Sequence, residues 1–136
     1  MDRRGFLKAS TLFSLSGILP SCATNPVTGE TDLMLLSEDE EAELGRTSHI
    51  EVMKAYRPYI NPELVKYVTS LGEKLASVSH RKELIYHFTV LDSPHVNAFA
   101  IPGGYIYITR GMMAYLGSEA ELCGVLGHEL GHITAR

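Results

Sequence analysis

Close to its C-terminal end the chain reads Gly127-His128-Glu129-Leu130-Gly131-His132. Two histidines four residues apart lie one above the other on a helix, so both imidazoles can converge on one cation. Nitrogen ligands so placed suit zinc, which binds imidazole at about 2.0–2.1 Å. Glu129 stands one step round from His128, beside such a cation and not aimed at it. A carboxylate there can take the proton of a water on the metal and relay it to a leaving amine. The pattern His-Glu-x-x-His is that of metal-assisted peptide hydrolysis. His128 and His132 are therefore candidate metal ligands, and Glu129 is the candidate general base.

These residues need a helix, and the sequence supplies one. Ser118-Glu119-Ala120-Glu121 has the form of a capping box, which opens a helix at about Glu119. With His128 at zero and ~100° per residue, His132 falls at ~40°, Val125 at ~60° and Glu129 at ~100°. Leu122, Ile133, Leu126, Leu130 and Cys123 form an apolar side, and Gly124, Gly127 and Gly131 a side of small residues. A glycine inside a helix costs about 1 kcal/mol relative to alanine, which predicts another element packed closely on that side. Glu121 shares the metal face, but it lies roughly 10 Å before His128 along the axis, too far to complete the site.

Upstream, Ser37-Glu38-Asp39-Glu40 is a second capping box, and the spacing predicts a helix from there to about Tyr56. Asn61-Pro62-Glu63 starts another, with Leu64, Val68, Leu71, Leu75 and Val78 as its buried stripe. The period changes to two over residues 84–92, which predicts a strand. Two further β-prone runs, 97–101 and 105–109, flank the turn signature Pro102-Gly103-Gly104. Proline closing the first run suits an edge strand. Residues 111–117 read as a short helix. The fold class expected is α+β: helices packed on a small, mostly antiparallel sheet with a free edge.

The N-terminal residues belong to targeting. Residues 1–22 join Arg3, Arg4 and Lys8 to an apolar stretch over 9–19, an export signal too short for a stable membrane span. Arg3-Arg4-Gly5-Phe6-Leu7-Lys8 has the form of a twin-arginine export motif. Leu19-Pro20-Ser21-Cys22 resembles a lipobox, with Cys22 the lipidated residue; a signal cleaved elsewhere is the alternative. Residues 23–36 carry turn signals and are expected to form an extended tether, leaving 37–136 for the folded domain. Cys123 is the other cysteine and is expected to be a small buried hydrophobe. A net charge of −4 without a basic cluster beyond the first residues argues against nucleic acid as a partner. At 136 residues there is room for one domain.

Four stretches together resemble the M48 family of zinc metalloproteases, in particular its exported bacterial members. They are TNPVTGE (24–30), LMLLSEDEEAELG (33–45), NAFAIPGGYIYITRGMM (97–113) and SEAELCGVLGHELGHITAR (118–136). The resemblance implies a zincin-like catalytic domain with zinc on His128 and His132 and Glu129 as base. It implies that Asn97, Ala98, Phe99 and Ala100 line the cleft as an edge strand that pairs with an extended substrate. It also implies a third zinc ligand, a glutamate from a helix downstream of Arg136, so residues 1–136 alone are expected to be an incomplete, inactive domain. Substrates would be misfolded or misassembled envelope proteins. The protein would be exported and lipid-anchored to a membrane facing the periplasm, the outer one in a diderm cell because Ala23 follows Cys22. Two rivals stand: a lipid-anchored, chaperone-like protein that holds clients on its edge strand, and a structural lipoprotein without zinc.

Overall fold

The computed structural model describes residues 21–24, 31–34 and 36–135, so the twin-arginine motif and the apolar stretch of the signal lie outside the described residues. Strands β1 (Ser21–Thr24) and β2 (Thr31–Met34) pair antiparallel, Cys22 opposite Leu33. The described parts of the expected tether, residues 23–24 and 31–34, lie in these two strands.

Helix α1 (Glu38–Ala55) begins at the expected capping box. Ser37 Oγ accepts from Glu40 N–H, and the Glu40 carboxylate accepts from Ser37 N–H at 2.8 Å. Helix α2 (Pro62–Ala76) starts at Asn61, whose side chain accepts from Leu64 N–H at 3.1 Å, with Pro62 where no N–H is needed. The predicted strand over 84–92 is shorter, β3 (His87–Leu91), because Leu84 N–H turns back to the Arg81 carbonyl. β4 (Ala98–Ile101) and β5 (Tyr105–Thr109) form the hairpin at Pro102-Gly103-Gly104. Both glycines there have φ above +80°, which a side chain would strain. The short helix is α3 (Arg110–Tyr115), and α4 (Glu119–Ala135) carries the His-Glu-x-x-His residues.

The three-stranded sheet has the order β3-β5-β4. β5 runs antiparallel to β4 but parallel to β3, Phe88 opposite Ile106 and Val90 opposite Ile108. This sheet is mixed, and the mostly antiparallel arrangement expected above does not describe it. The chain leaves β3, lays down β4 one position too far, and returns between them with β5. That order depends on long-range packing and leaves no trace in local periodicity. Among the described residues no strand pairs with the outer side of β4.

Side chains alternate across β5, so the sheet separates two layers. Ile106 and Ile108 face α2 and α4, in a core with Val68, Val90, Leu122, Leu126, Leu130 and Ile133. Tyr105 and Tyr107 face α1, where rings stack in succession: His87 on Tyr105 at 4.6 Å, Tyr105 on His49 at 4.8 Å, and Tyr107 on Phe99 at 4.8 Å. His49 Nδ1 lies 2.7 Å from the Tyr107 hydroxyl. Burial pushes the Tyr107 phenol up to about 12. His49 is thus a half-buried histidine packed into this layer.

α1 reaches this layer because Gly45 has no side chain. A Cβ there would stand 2.3 Å from the Pro102 carbonyl oxygen. The glycines of α4 behave otherwise: at Gly124, Gly127 and Gly131 a Cβ would meet nothing within 4 Å. The close neighbour expected on that side is therefore not among the described residues.

Candidate metal and peptide site

α4 places its residues by the rotation expected. Leu122, Leu126, Leu130 and Ile133 are buried, and this fixes the orientation of the opposite side. His128 and His132 are exposed, while Glu129 between them is only 9% exposed. Cys123 is half-buried and free. The start of α4 departs slightly from the box expected. Ser118 Oγ accepts from Glu121 N–H at 3.2 Å, but the Glu121 carboxylate accepts from Gly117 N–H at 2.6 Å, one residue earlier.

The two imidazoles converge. His132 Nε2 is 3.0 Å from His128 Nε2, and the rings stand edge to face with an interplanar angle of 89°. Two nitrogens on one tetrahedral zinc are expected roughly 3.3 Å apart. The pair therefore fits a single ion with little adjustment, provided both rings carry their proton on Nδ1 and present Nε2 lone pairs. The donor chemistry fits zinc: two imidazoles at i and i+4, with a carboxylate alongside. Among the described residues no third histidine, cysteine or carboxylate joins them to make a metal cluster. Glu121, on the same helix face, is held by Gly117.

An open cleft of about 490 Å³ runs beside α4. One wall is His128, Glu129, Val125, Gly124 and Glu121; the other is Val96, Asn97 and Ala98, with Met112 and Leu116 of the α3 segment at the base. Of the four residues expected to line it, Asn97 and Ala98 do. Phe99 turns to the other side of the sheet, onto Tyr107, and Ala100 packs against the core. Alternation along β4 puts Phe99 on the side opposite Ala98, whereas Ala100 shares the side of Ala98 and lies beyond the cleft, against the core. Sequence reasoning missed Met112, Leu116 and Val125. The i, i+4 spacing of Met112 and Leu116 was the available signal.

Thr109 holds the base and one wall together. Its buried hydroxyl accepts from Asn97 N–H (3.2 Å) and from Met112 N–H (3.1 Å), capping α3, and it donates to the carbonyl of His95 or Asn97. Gly111 presses on the same loop, where a Cβ would stand 2.2 Å from the Pro94 carbonyl oxygen. The start of β4 and the start of α3 are thus one rigid corner.

A converging histidine pair with a buried glutamate, on a helix beside a sheet edge, is the arrangement of a metallopeptidase. The family model for Peptidase family M48 matches residues 62–136, and the chain belongs to that family, which implies a metal cofactor. Among curated proteins it is 32% identical over 121 residues to the beta-barrel assembly-enhancing protease of Yersinia pestis, covering 88% of this chain and 25% of that protein. It is 31% identical over 117 residues to the protein of the same name from Escherichia coli K12, covering 85% of this chain and 24% of that one. It is also 39% identical over 61 residues to the mitochondrial metalloendopeptidase OMA1 of Arabidopsis thaliana, covering 45% of this chain and 13% of the relative. The chain thus spans about a quarter of the length of the bacterial relatives. No helix among the described residues is long and apolar enough to cross a membrane.

Proposed function

We propose that the protein is a zinc-dependent endopeptidase. In this reading His128 and His132 hold the metal, Glu129 is the general base, and the substrate lies extended along β4. The observation that carries it is the buried Glu129 beside two imidazoles with Nε2 atoms 3.0 Å apart, on a cleft whose facing wall is a sheet edge. A zinc ion held there supplies Lewis-acid polarisation of the scissile carbonyl and lowers the pKa of a water toward about 7. Glu129 accepts the proton of the attacking water and delivers it to the amine that leaves. Ala98 holds the peptide against that carboxylate through its outward backbone groups, Asn97 lines the same wall, and the floor of the cleft limits the water that reaches it. The third protein ligand is a glutamate downstream of Arg136, so residues 1–136 alone bind zinc weakly and hydrolyse nothing.

Two relatives are named for β-barrel assembly. By extension the substrates here are misfolded or misassembled proteins of the cell envelope. The N-terminal residues fit that location through twin-arginine export and a lipid on Cys22, which anchors the protein to a membrane facing the periplasm.

The test is Glu129→Gln in the full-length protein, with an unfolded protein as substrate. Cleavage is expected to fall by about 10²–10⁴-fold, with zinc content unchanged by elemental analysis. Undiminished cleavage, or a wild type without zinc, would overturn the proposal. Retained rescue of envelope clients by the non-cleaving variant would favour a lipid-anchored, chaperone-like protein.

A further inference from the structure

We infer that Met112, Leu116 and Val125 form a side-chain subsite that selects peptides with a bulky apolar residue beside the bond to be cut. The inference rests on the peptidase reading and deepens it, by naming what the cleft prefers.

The register of β4 fixes where a substrate would lie. Thr109 N–H donates to the Asn97 carbonyl at 3.0 Å, and Ala98 stands opposite Ile108. Hydrogen-bonded and non-bonded pairs alternate in an antiparallel ladder, so Asn97, Phe99 and Ile101 turn their backbone groups to β5. Ala98 and Ala100 therefore direct N–H and C=O outward, where no described strand pairs with them. A peptide added to this edge pairs with Ala98 and Ala100, and residues directly opposite one another share a face of the sheet. Ala98 lines the cleft together with His128 and Glu129. The substrate residue opposite Ala98 accordingly points into the cleft, next to the reacting carboxylate.

What that side chain meets is apolar. Met112, Leu116 and Val125 are half-buried against the core and line the cleft with the surface they leave uncovered. A leucine or phenylalanine covers that surface and excludes water from it. Glu121, a carboxylate of the lining that stays in place when Glu129 is replaced, disfavours aspartate or glutamate at the same place. Met112 lies in α3, Leu116 at its C-cap and Val125 in α4, all three packed against the core, so the wall is formed before a peptide arrives.

Two measurements on the full-length, zinc-loaded protein test this. In the first, the Glu129→Gln variant is titrated with short extended peptides that differ at one central residue: leucine, phenylalanine or aspartate. The apolar peptides are expected to bind at least tenfold more tightly than the aspartate peptide, and Leu116→Asn should narrow that gap while Leu116→Met keeps it. Equal affinity across the three peptides overturns the subsite, whether or not the Leu116 variants fold. In the second, the wild type is given the same peptides and the products are mapped. Cuts at a fixed position relative to leucine or phenylalanine support the subsite, and cuts placed without regard to them overturn it. Selective binding without any cutting would leave the subsite standing and remove the peptidase.

Discussion

In the proposed reading the imidazole pair and Glu129 divide the work on one helix turn: the exposed rings take a metal, while the buried carboxylate takes a proton. His128→Ala or His132→Ala should each abolish stoichiometric zinc binding by elemental analysis, whereas Glu129→Gln should not. That division was legible because every residue of it is local. His49 was not legible as a partner of Tyr107, because 58 residues separate them. The neighbouring His87 carries a pH consequence. Burial, and then the charge of His49, lower its pKa below the ordinary value of about 6.5. The unfolded chain then takes up that proton more readily than the folded one. The stabilisation it reflects is present above about pH 6.5 and is lost as pH falls through the lower folded value. The urea midpoint of wild type should fall relative to that of His87→Gln as pH drops across that range.

At the scale of elements, close approach and capping decide the geometry. Gly45→Ala puts a methyl 2.3 Å from the Pro102 oxygen. It should destabilise by about 1–3 kcal/mol, although alanine is the better helix former by about 1 kcal/mol. Denaturant unfolding checks the sign. Thr109→Val keeps the shape of the side chain but leaves the Asn97 and Met112 N–H groups without their acceptor, at about 1–3 kcal/mol for each buried group left unsatisfied. Thr109→Ser should restore most of that loss. The helix starts could be read in advance because Ser37 and Asn61 act on residues three positions away. The parallel pairing of β3 with β5 could not, since register between distant strands is set by which faces the helices cover. The small-residue side of α4 was read correctly as unusual, but its neighbour was not found within the described residues.

For the molecule as a whole, one ion pair joins parts that are far apart in sequence. Arg81 meets Glu41 through two hydrogen bonds, of 2.9 and 3.1 Å, and also donates to the Ile133 carbonyl at 3.1 Å. Glu41 accepts from Gly103 N–H at 3.3 Å. With only 10% and 12% of the side chains exposed, removing one partner strands a buried charge. Arg81→Met should cost about 3–5 kcal/mol, and the pair Arg81→Met/Glu41→Leu distinctly less than the sum of its singles, as unfolding of all three variants would read. The strand order has a further consequence, in time. β4 and β5 meet across a three-residue turn, so their hairpin closes a short loop and can form early. β3 has its place only once β5 exists to receive it, and β5 is synthesised last of the three. During translation the edge of β3 that receives β5 must therefore wait, unpaired, until the hairpin has emerged behind it.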